Sequence, residues 1–170
     1  SPNEITVNRR HLSAKHFIIA TGSEWITPEI QGLKTIKFLT PRTILENIRP
    51  PKSLFIIGAG TSGVEIAQLM AIFGTKVYIA DIASRILPRE DVEVSTMVER
   101  TMKENKGITS LAQTRVLSVV KDGIQKKVTF ARGATTRSVK VDEVLVATGR
   151  TPLTDLGLEN AHVAYSGKGI

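Results

Sequence analysis

A six-residue glycine pattern limits how this chain can fold more than any other feature. Residues 58–63 read Gly-Ala-Gly-Thr-Ser-Gly and come directly after the apolar run 53–57. The segment 64–73 has the apolar spacing of a buried helix, and Gly74 is placed to end it. Residues 76–81 then predict a second strand. A strand, a helix and a strand joined this closely form a βαβ unit, which is parallel and right-handed.

The following residues extend this unit and then add a second kind of sheet. Residues 91–105 have helical spacing and residues 108–111 supply a third strand, so the unit becomes βαβαβ. Short alternating segments separated by turn residues predict a three-stranded antiparallel β-meander over 116–120, 127–132 and 138–141. Residues 143–147 predict one more buried strand. We therefore expect an α/β fold, a Rossmann-like parallel sheet with an antiparallel meander.

The first fifty residues are less regular. Residues 5–7 and 16–20 predict two short strands around a polar turn. The stretch 24–51 contains four prolines, and its only helical signal is at 41–46, where Thr40 is a suitable cap. We interpret this stretch as a connector that stays outside the core.

The composition excludes several classes of function. The chain has no cysteine, which rules out disulfides, thiolate zinc sites and thiol catalysis within these residues. Its three histidines form no catalytic or metal-binding constellation, so we expect no metal. The net charge of +7 comes from basic residues interleaved with acids, and we expect no nucleic acid partner. No apolar run approaches the roughly 18 residues of a membrane span, so we expect a cytoplasmic protein without a membrane partner.

Each glycine of the pattern has a distinct expected role. Gly58 permits the tight turn, Gly60 lets a pyrophosphate approach the backbone, and Gly63 allows the helix to pack closely on the strand. The amino-terminal end of the helix offers free N–H groups and the positive end of a dipole. The sequence therefore predicts that the phosphates of a dinucleotide bind over residues 60–63.

An acidic residue at the end of the second strand bears on which dinucleotide binds. Asp81 lies where such folds place the carboxylate that accepts hydrogen bonds from the adenosine ribose. A carboxylate there repels a 2′-phosphate, which favours NAD over NADP, although Arg85 lies nearby and leaves a phosphate contact open as an alternative. Glu65 is on the first turn of the helix, where the dipole alone would favour a negative charge.

Several segments taken together resemble the pyridine-nucleotide disulfide oxidoreductase family, especially dihydrolipoamide dehydrogenases and mercuric reductases. The resemblance runs from about His16 to Ile170 and rests on HFIIATGS, SLFIIGAGTSGVE, VYIAD followed by RILP, VLVATGRTP and LGLENA. It implies that an NAD domain is inserted between two halves of an FAD domain. We therefore expect residues 1–50 to be a connector from the flavin domain, 51–150 the NAD-binding domain, and 151–170 the start of the return.

The resemblance also implies roles for individual residues. NAD would contact Gly58, Ala59, Gly60, Thr61, Ser62, Gly63 and Glu65, with Glu65 near the nicotinamide, Asp81 on the adenine ribose, Val116 beside the adenine and Gly149 near the cofactor. Thr21, Gly22 and Ser23 would contact FAD in the full enzyme. The hydroxyl residues Thr61 and Ser62 depart from the bulky apolar residues usual in the family. They either add hydroxyl contacts to the phosphates or mark a less usual subgroup.

The implied function is that of one part of a larger enzyme. The parent enzyme would move a hydride between NAD and FAD and use a cysteine pair outside this chain. Its partners would be the flavin and interface domains of the same parent chain, and the parent would be a homodimer. No catalytic residue lies in the chain, so we expect it to be inactive alone. Dihydrolipoamide dehydrogenase is the first choice of parent. Alternatives are a mercuric reductase or NADH oxidase, a stand-alone nucleotide-binding module, and a small complete NAD enzyme.

Overall fold

The computed structural model describes residues 3–46, 48–104 and 107–170, and the chain divides into two compact units. Unit 1 consists of Ser1–Trp25 and Arg150–Ile170, and unit 2 of Ile26–Gly149. In chain order the elements are β1 (Glu4–Val7), β2 (Arg10–Ser13), β3 (Ser23–Trp25), β4 (Ser53–Ile57), α1 (Thr61–Ile72), β5 (Lys76–Ala80), α2 (Val92–Glu104), β6 (Ile108–Leu111), β7 (Arg115–Asp122), β8 (Gln125–Arg132), β9 (Thr135–Val141), β10 (Glu143–Val146) and β11 (Arg150–Pro152). Short 3₁₀ helices span Leu33–Thr35, Thr43–Glu46 and Leu158–Ala161.

A four-stranded parallel sheet forms the centre of unit 2. Its strand order is β10-β4-β5-β6, with α1 crossing from β4 to β5 and α2 crossing from β5 to β6. Leu54, Phe55 and Ile56 are fully buried, as expected for a strand covered on both faces. The predicted βαβαβ unit is confirmed, and the last predicted residue of its second helix, Asn105, lies outside the described residues.

Different layers cover the two faces of this sheet. On one face, α1 and α2 bury side chains such as Val64, Ala67 and Met102 against the strands. On the other face, the strands β7-β8-β9 form the predicted antiparallel meander and bury Val119 and Val128. The α/β fold expected from the sequence is therefore confirmed as three layers: helices, parallel sheet and meander.

The expectation that residues 24–51 stay outside the core is wrong for part of that stretch. Leu33, Leu39 and Ile44 are buried in unit 2. The N–H of Leu39 donates to the carbonyl of Val144 at 2.8 Å, and the N–H of Val146 donates to the carbonyl of Leu39 at 2.8 Å. These bonds occupy the outer edge of β10, an edge that an irregular segment can cover without a strand pattern of its own.

The short helical signal near Thr40 is confirmed. The N–H of Thr43 donates to Oγ1 of Thr40 at 3.2 Å, so the threonine satisfies an amide that the 3₁₀ turn leaves free.

The carboxylate of Asp142 links several elements at the amino-terminal ends of β4 and β10. Asp142 accepts hydrogen bonds from the N–H and the hydroxyl of Ser53, both at 2.9 Å, and from Nε2 of Gln125 at 3.0 Å. The Gln125 hydrogen bond, together with the bonds from Ser53 and the charge of Lys52, lowers the pKa of Asp142 against the opposing effect of burial. This side chain therefore joins β4 and β10 to the β7–β8 hairpin.

Unit 1 contains two small antiparallel ladders. Strands β1 and β2 pair through a two-residue turn in which Asn8 and Arg9 are left-handed, with φ of 51° and 65°. Strand β3 pairs with β11, and the guanidinium of Arg150 lies 4.9 Å from the ring centre of Trp25.

The predicted strand at 16–20 is wrong. Strand β1 pairs with Arg10–Ser13 instead, and residues 16–20 belong to no ladder among the described residues. Ile18 is 94% exposed, so the apolar run has neither the strand partners nor the covering layers that a strand of this composition needs. Neither of the two described α-helices is long and apolar enough to cross a membrane.

Candidate functional site

Two glycines of the pattern are required by the packing of unit 2 itself. Gly58 has a φ of 106°, and a Cβ on it would overlap the carbonyl of Ala147 at the end of β10. A Cβ on Gly63 would overlap the carbonyl of Gly58, so this glycine brings α1 against the strand that precedes it. The roles predicted for these residues in the turn and in helix–strand packing agree with this geometry.

The middle glycine is not required by that packing. Gly60 has the ordinary extended values φ −74° and ψ −174°, which any residue can adopt. A Cβ on Gly60 would meet no atom within 4 Å. Glycine at this position therefore keeps space open directly before the first turn of α1.

The amides beside that space are free to bind an anion. The first helical bond of α1 runs from the N–H of Val64 to the carbonyl of Gly60 at 3.0 Å, and the amides before it have no carbonyl partner inside the helix. Gly60 supplies no side-chain cap. The hydroxyls of Thr61 and Ser62 have no hydrogen-bond partner in the described part of the chain, and the positive end of the helix dipole lies at the same turn.

Asp81 lies next to the glycine loop, which is formed by residues 58–63, and already accepts two backbone hydrogen bonds. Its Oδ2 accepts from the N–H of Ala59 at 2.7 Å, and its Oδ1 accepts from the N–H of Ala83 at 2.8 Å. A carboxylate has about four acceptor positions, so each oxygen retains the capacity to accept one ribose hydroxyl. Asp81 therefore supports the glycine loop in addition to the ribose role predicted for it.

A second support of the glycine loop was missed by the sequence reasoning. The N–H of Leu87 donates to the carbonyl of Ala59 at 2.7 Å, so both polar groups of the Ala59 residue are held. Leu87 is left-handed with a φ of 47°, and the hydroxyl of Ser95 fixes the preceding residue by donating to the carbonyl of Ile86 at 2.6 Å. The only signal of this support in the sequence was the motif RILP at residues 85–88. Neither the positive φ of Leu87 nor its bond to Ala59 is visible in a sequence.

Arg85 is engaged within its own loop. Its Nη1 donates to the carbonyl of Glu90 at 3.0 Å and its Nη2 donates to the carbonyl of Pro88 at 3.2 Å. The alternative in which Arg85 contacts a ribose phosphate would require both bonds to break.

The other residues assigned to NAD lie at different depths in unit 2. Glu65 is exposed on α1. Val116 is only 8% exposed, so its side chain belongs to the core, and its backbone lies at an irregularity between residues 116 and 118 of β7. Gly149 has a φ of 124°, and its carbonyl accepts a hydrogen bond from the N–H of Ile26 at 3.0 Å.

The residues assigned to FAD lie in unit 1. The hydroxyl of Thr21 donates to the carbonyl of Leu153 at 2.7 Å, and the N–H of Leu153 donates to the carbonyl of Gly22 at 3.0 Å. Ser23 begins β3, and its carbonyl accepts a hydrogen bond from Nη2 of Arg150 at 2.7 Å. The three residues thus connect the β3–β11 ladder to the segment that follows it.

The sequence and structure of the chain resemble those of several reductases and dehydrogenases. The chain is 33% identical over 168 residues to a mercuric reductase from Bacillus cereus, which covers 98% of this chain and 26% of that protein. It is 34% identical over 164 residues to a dihydrolipoyl dehydrogenase from Acholeplasma laidlawii, which covers 94% of this chain and 47% of that protein. The solved HOCl-induced flavoprotein disulfide reductase RclA from Escherichia coli matches with a TM-score of 0.85 and 28% identity, over 98% of this chain and 38% of that one.

The chain thus spans from about a quarter to about half of the length of these relatives. The family model of the pyridine nucleotide-disulphide oxidoreductases matches residues 1–170, which is the whole chain. The glycine loop, the carboxylate at the end of β5 and the parallel sheet that carries them are in keeping with that match. This chain belongs to the pyridine nucleotide-disulphide oxidoreductase family.

Proposed function

We propose that this chain is the NAD(H)-binding part of an FAD-dependent disulfide oxidoreductase. Gly60 carries the proposal, because neither its backbone angles nor its neighbours require glycine. A pyrophosphate over residues 60–63 accounts for the missing side chain, since a Cβ there would occupy the space into which the phosphates fit.

The contribution of the chain is binding and orientation. The first-turn amides of α1 and the hydroxyls of Thr61 and Ser62 hold the pyrophosphate, and Asp81 accepts the adenosine ribose hydroxyls. Bound nicotinamide supplies the hydride chemistry. Val116, Glu65 and Gly149 are retained as proposed contacts to NAD, and Thr21, Gly22 and Ser23 as proposed contacts to FAD in the whole protein.

The same geometry supports a preference for NAD over NADP. A 2′-phosphate would place its negative charge against the Asp81 carboxylate, whose geometry two backbone bonds maintain. Arg85, the nearest candidate to compensate that charge, is occupied by two carbonyls. We expect NADH to bind at least about tenfold more tightly than NADPH, which corresponds to roughly 1.4 kcal/mol.

The test is calorimetric titration of the chain with NADH, before and after the substitution Gly60→Ala. Because an added Cβ meets no atom and the backbone is unstrained, Gly60→Ala should keep or raise the melting temperature, as Gly→Ala does at compatible positions. It should nevertheless weaken NADH binding by about tenfold or more, since contact with the phosphates is lost.

The matched control is Gly167→Ala, another position where a Cβ would meet nothing within 4 Å. That variant should bind NADH like the unmodified chain. Equal NADH affinities of the Gly60→Ala and Gly167→Ala variants would contradict the proposal, and so would a failure of the unmodified chain to bind NADH.

For the reaction of the parent enzyme, we propose dihydrolipoamide oxidation and retain mercuric ion reduction as the second candidate. Mercuric reductases are 31% to 36% identical to the chain, and dihydrolipoyl dehydrogenases are 32% to 34% identical. Because the two ranges overlap, the choice needs an activity measurement. Turnover of the full-length protein with dihydrolipoamide and NAD, compared with mercuric ion and a reduced nucleotide, decides between them.

A further inference from the structure

Two arginines of the meander, Arg132 and Arg137, lie on one face of its strands. Further along the strands, the same face packs into the core. Side chains alternate along a strand, so every second residue of β9 faces the same way. Val139 and Val141 pack against the sheet, and Arg137 stands in the same series. In β8 the buried Phe130 is followed at the same spacing by Arg132.

The pairing of the strands brings these two arginines together. Phe130 is opposite Arg137, and Arg132 is opposite Thr135. The two guanidinium groups are therefore diagonal neighbours on one face, at a separation that long side chains can bridge. No hydrogen bond or ion pair engages either arginine in the described part of the chain.

These residues line a cavity of about 160 Å³. Its full lining is Leu111, Thr114, Phe130, Arg132, Thr135 and Arg137, and none of these residues is acidic. Phe130 and Leu111 provide an apolar surface, and Phe130 is held by the ring of Phe55, with 5.6 Å between the ring centres. Two positive charges with no internal counter-ion thus border a partly apolar space.

The size of the cavity limits what it can hold. A volume of about 160 Å³ is close to the roughly 150 Å³ of an engineered apolar cavity that holds one benzene molecule. It is smaller than the roughly 300 Å³ at which sites for drug-sized ligands begin, so the space favours a small anion. Arginine forms paired hydrogen bonds with the oxygens of carboxylates and phosphates.

We propose that this meander cavity binds a small organic dianion, held at its carboxylate or phosphate oxygens by Arg132 and Arg137. Thr135 also lines the cavity, and the apolar side of the ligand rests on Phe130 and Leu111. The proposed ligand is not a nucleotide, but the cavity borders the proposed ribose site. The N–H of Asp81 donates to the carbonyl of Leu111 at 3.1 Å, and the N–H of Thr114 donates to the carbonyl of Asp81 at 2.8 Å. The competing explanation is that charges on this face only prevent the edge strand β9 from pairing with other chains.

The experiment is an NMR titration of the ¹⁵N-labelled chain with malonate and, separately, with inorganic phosphate. Ionic strength is held constant with chloride, so that general screening does not change. We expect saturable shifts of the amides of Leu111, Thr114, Arg132, Thr135 and Arg137 with at least one probe, at a Kd of about 1 mM or tighter. The probe that binds more tightly identifies the anionic group as carboxylate or phosphate.

The variants Arg132→Gln and Arg137→Gln should each weaken that binding by at least about tenfold, because each removes charge-assisted hydrogen bonds. The matched control is Lys127→Gln, which removes the same charge from an exposed residue on the opposite face of β8. It should change the Kd by less than about twofold.

Several results would overturn the proposal. One is the absence of saturable shifts with either probe up to about 10 mM, which would leave edge protection as the explanation for the arginines. Another is an equal loss of binding in the Lys127→Gln variant. A third is exclusion of the anion by saturating NADH, which would make the cavity part of the nucleotide site. The anion titration is read without nucleotide, so its outcome is independent of whether NADH binds.

Discussion

At the scale of single residues, Asp142 links the stability of the sheet to pH. The lowered pKa of this carboxyl means that folding favours its charged form. Its contribution to stability is therefore fully present above the unfolded pKa of about 3.9 and is lost as the pH falls through the lower folded value. An amide at this position would turn an N–H₂ group toward Ser53 or Gln125, both of which donate to the present carboxylate.

We predict that Asp142→Asn lowers the free energy of unfolding by about 1 kcal/mol at pH 7, a value that allows for the partial exposure of the group. The difference from the unmodified chain should shrink as the pH is lowered from about 5 to 3. Urea unfolding across this range is the measurement, with the exposed Asp155 changed to Asn as the control. A difference that stays constant from neutral to acid pH would disprove the linkage.

The sequence predicted the structural roles of some residues and not of others. The roles of Gly58 and Gly63 were predictable, because a tight turn and close packing follow from local spacing. The second role of Asp81, as a support for Ala59, was not predictable, because the bond joins residues 22 positions apart.

At the scale of elements, the segment between β5 and α2 acts as a support for the glycine loop. Leu87 reaches the carbonyl of Ala59, and Ser95, in the first turns of α2, holds the carbonyl of Ile86. The orientation of the loop therefore depends on a helix that supplies none of the residues assigned to the dinucleotide.

We predict that Ser95→Ala lowers the free energy of unfolding by about 1–3 kcal/mol, since a buried carbonyl loses its donor. It should also weaken NADH binding several-fold, because the loop that carries Ala59 loses its fixed position. The control is Thr101→Ala on the same helix, whose exposed hydroxyl donates only to the carbonyl of Met97. A stability loss with unchanged NADH affinity would show that Ser95 serves the fold alone.

Element prediction succeeded where the pattern was local and failed where pairing decided the outcome. The strands β4 and β6 and the helix α1 follow from apolar spacing bounded by glycine. The apolar run at 16–20 resembles a strand equally well, yet it forms none, because a strand exists only with a partner.

At the scale of the whole molecule, the two units differ in how deeply their strands are buried. Every residue of β1 and β2 is exposed, whereas the strands of the parallel sheet lie between two layers. An isolated two-stranded hairpin is at best marginally stable in water.

We predict from this contrast that amide hydrogens of β1 and β2 exchange much faster than those of β4 and β5. NADH at about 100 times its Kd should stabilise the folded state of unit 2 by roughly 2.7 kcal/mol. Amide hydrogens that exchange only when unit 2 unfolds globally should slow correspondingly. Exchange in the β1–β2 hairpin should stay unchanged. Hydrogen exchange followed by mass spectrometry tests both statements, and equal protection of hairpin and sheet would contradict the first.

The sequence by itself determined the parallel βαβαβ unit, the meander, the position of the glycine loop and the acid at the end of β5. These features follow from spacing over a few residues, where periodicity and the special properties of glycine are sufficient. Only the tertiary structure decided that no packing contact requires glycine at position 60, what Asp81 and Leu87 hold, and which side chains surround the meander cavity. These properties depend on strand register and on contacts between distant residues, which local sequence patterns do not encode.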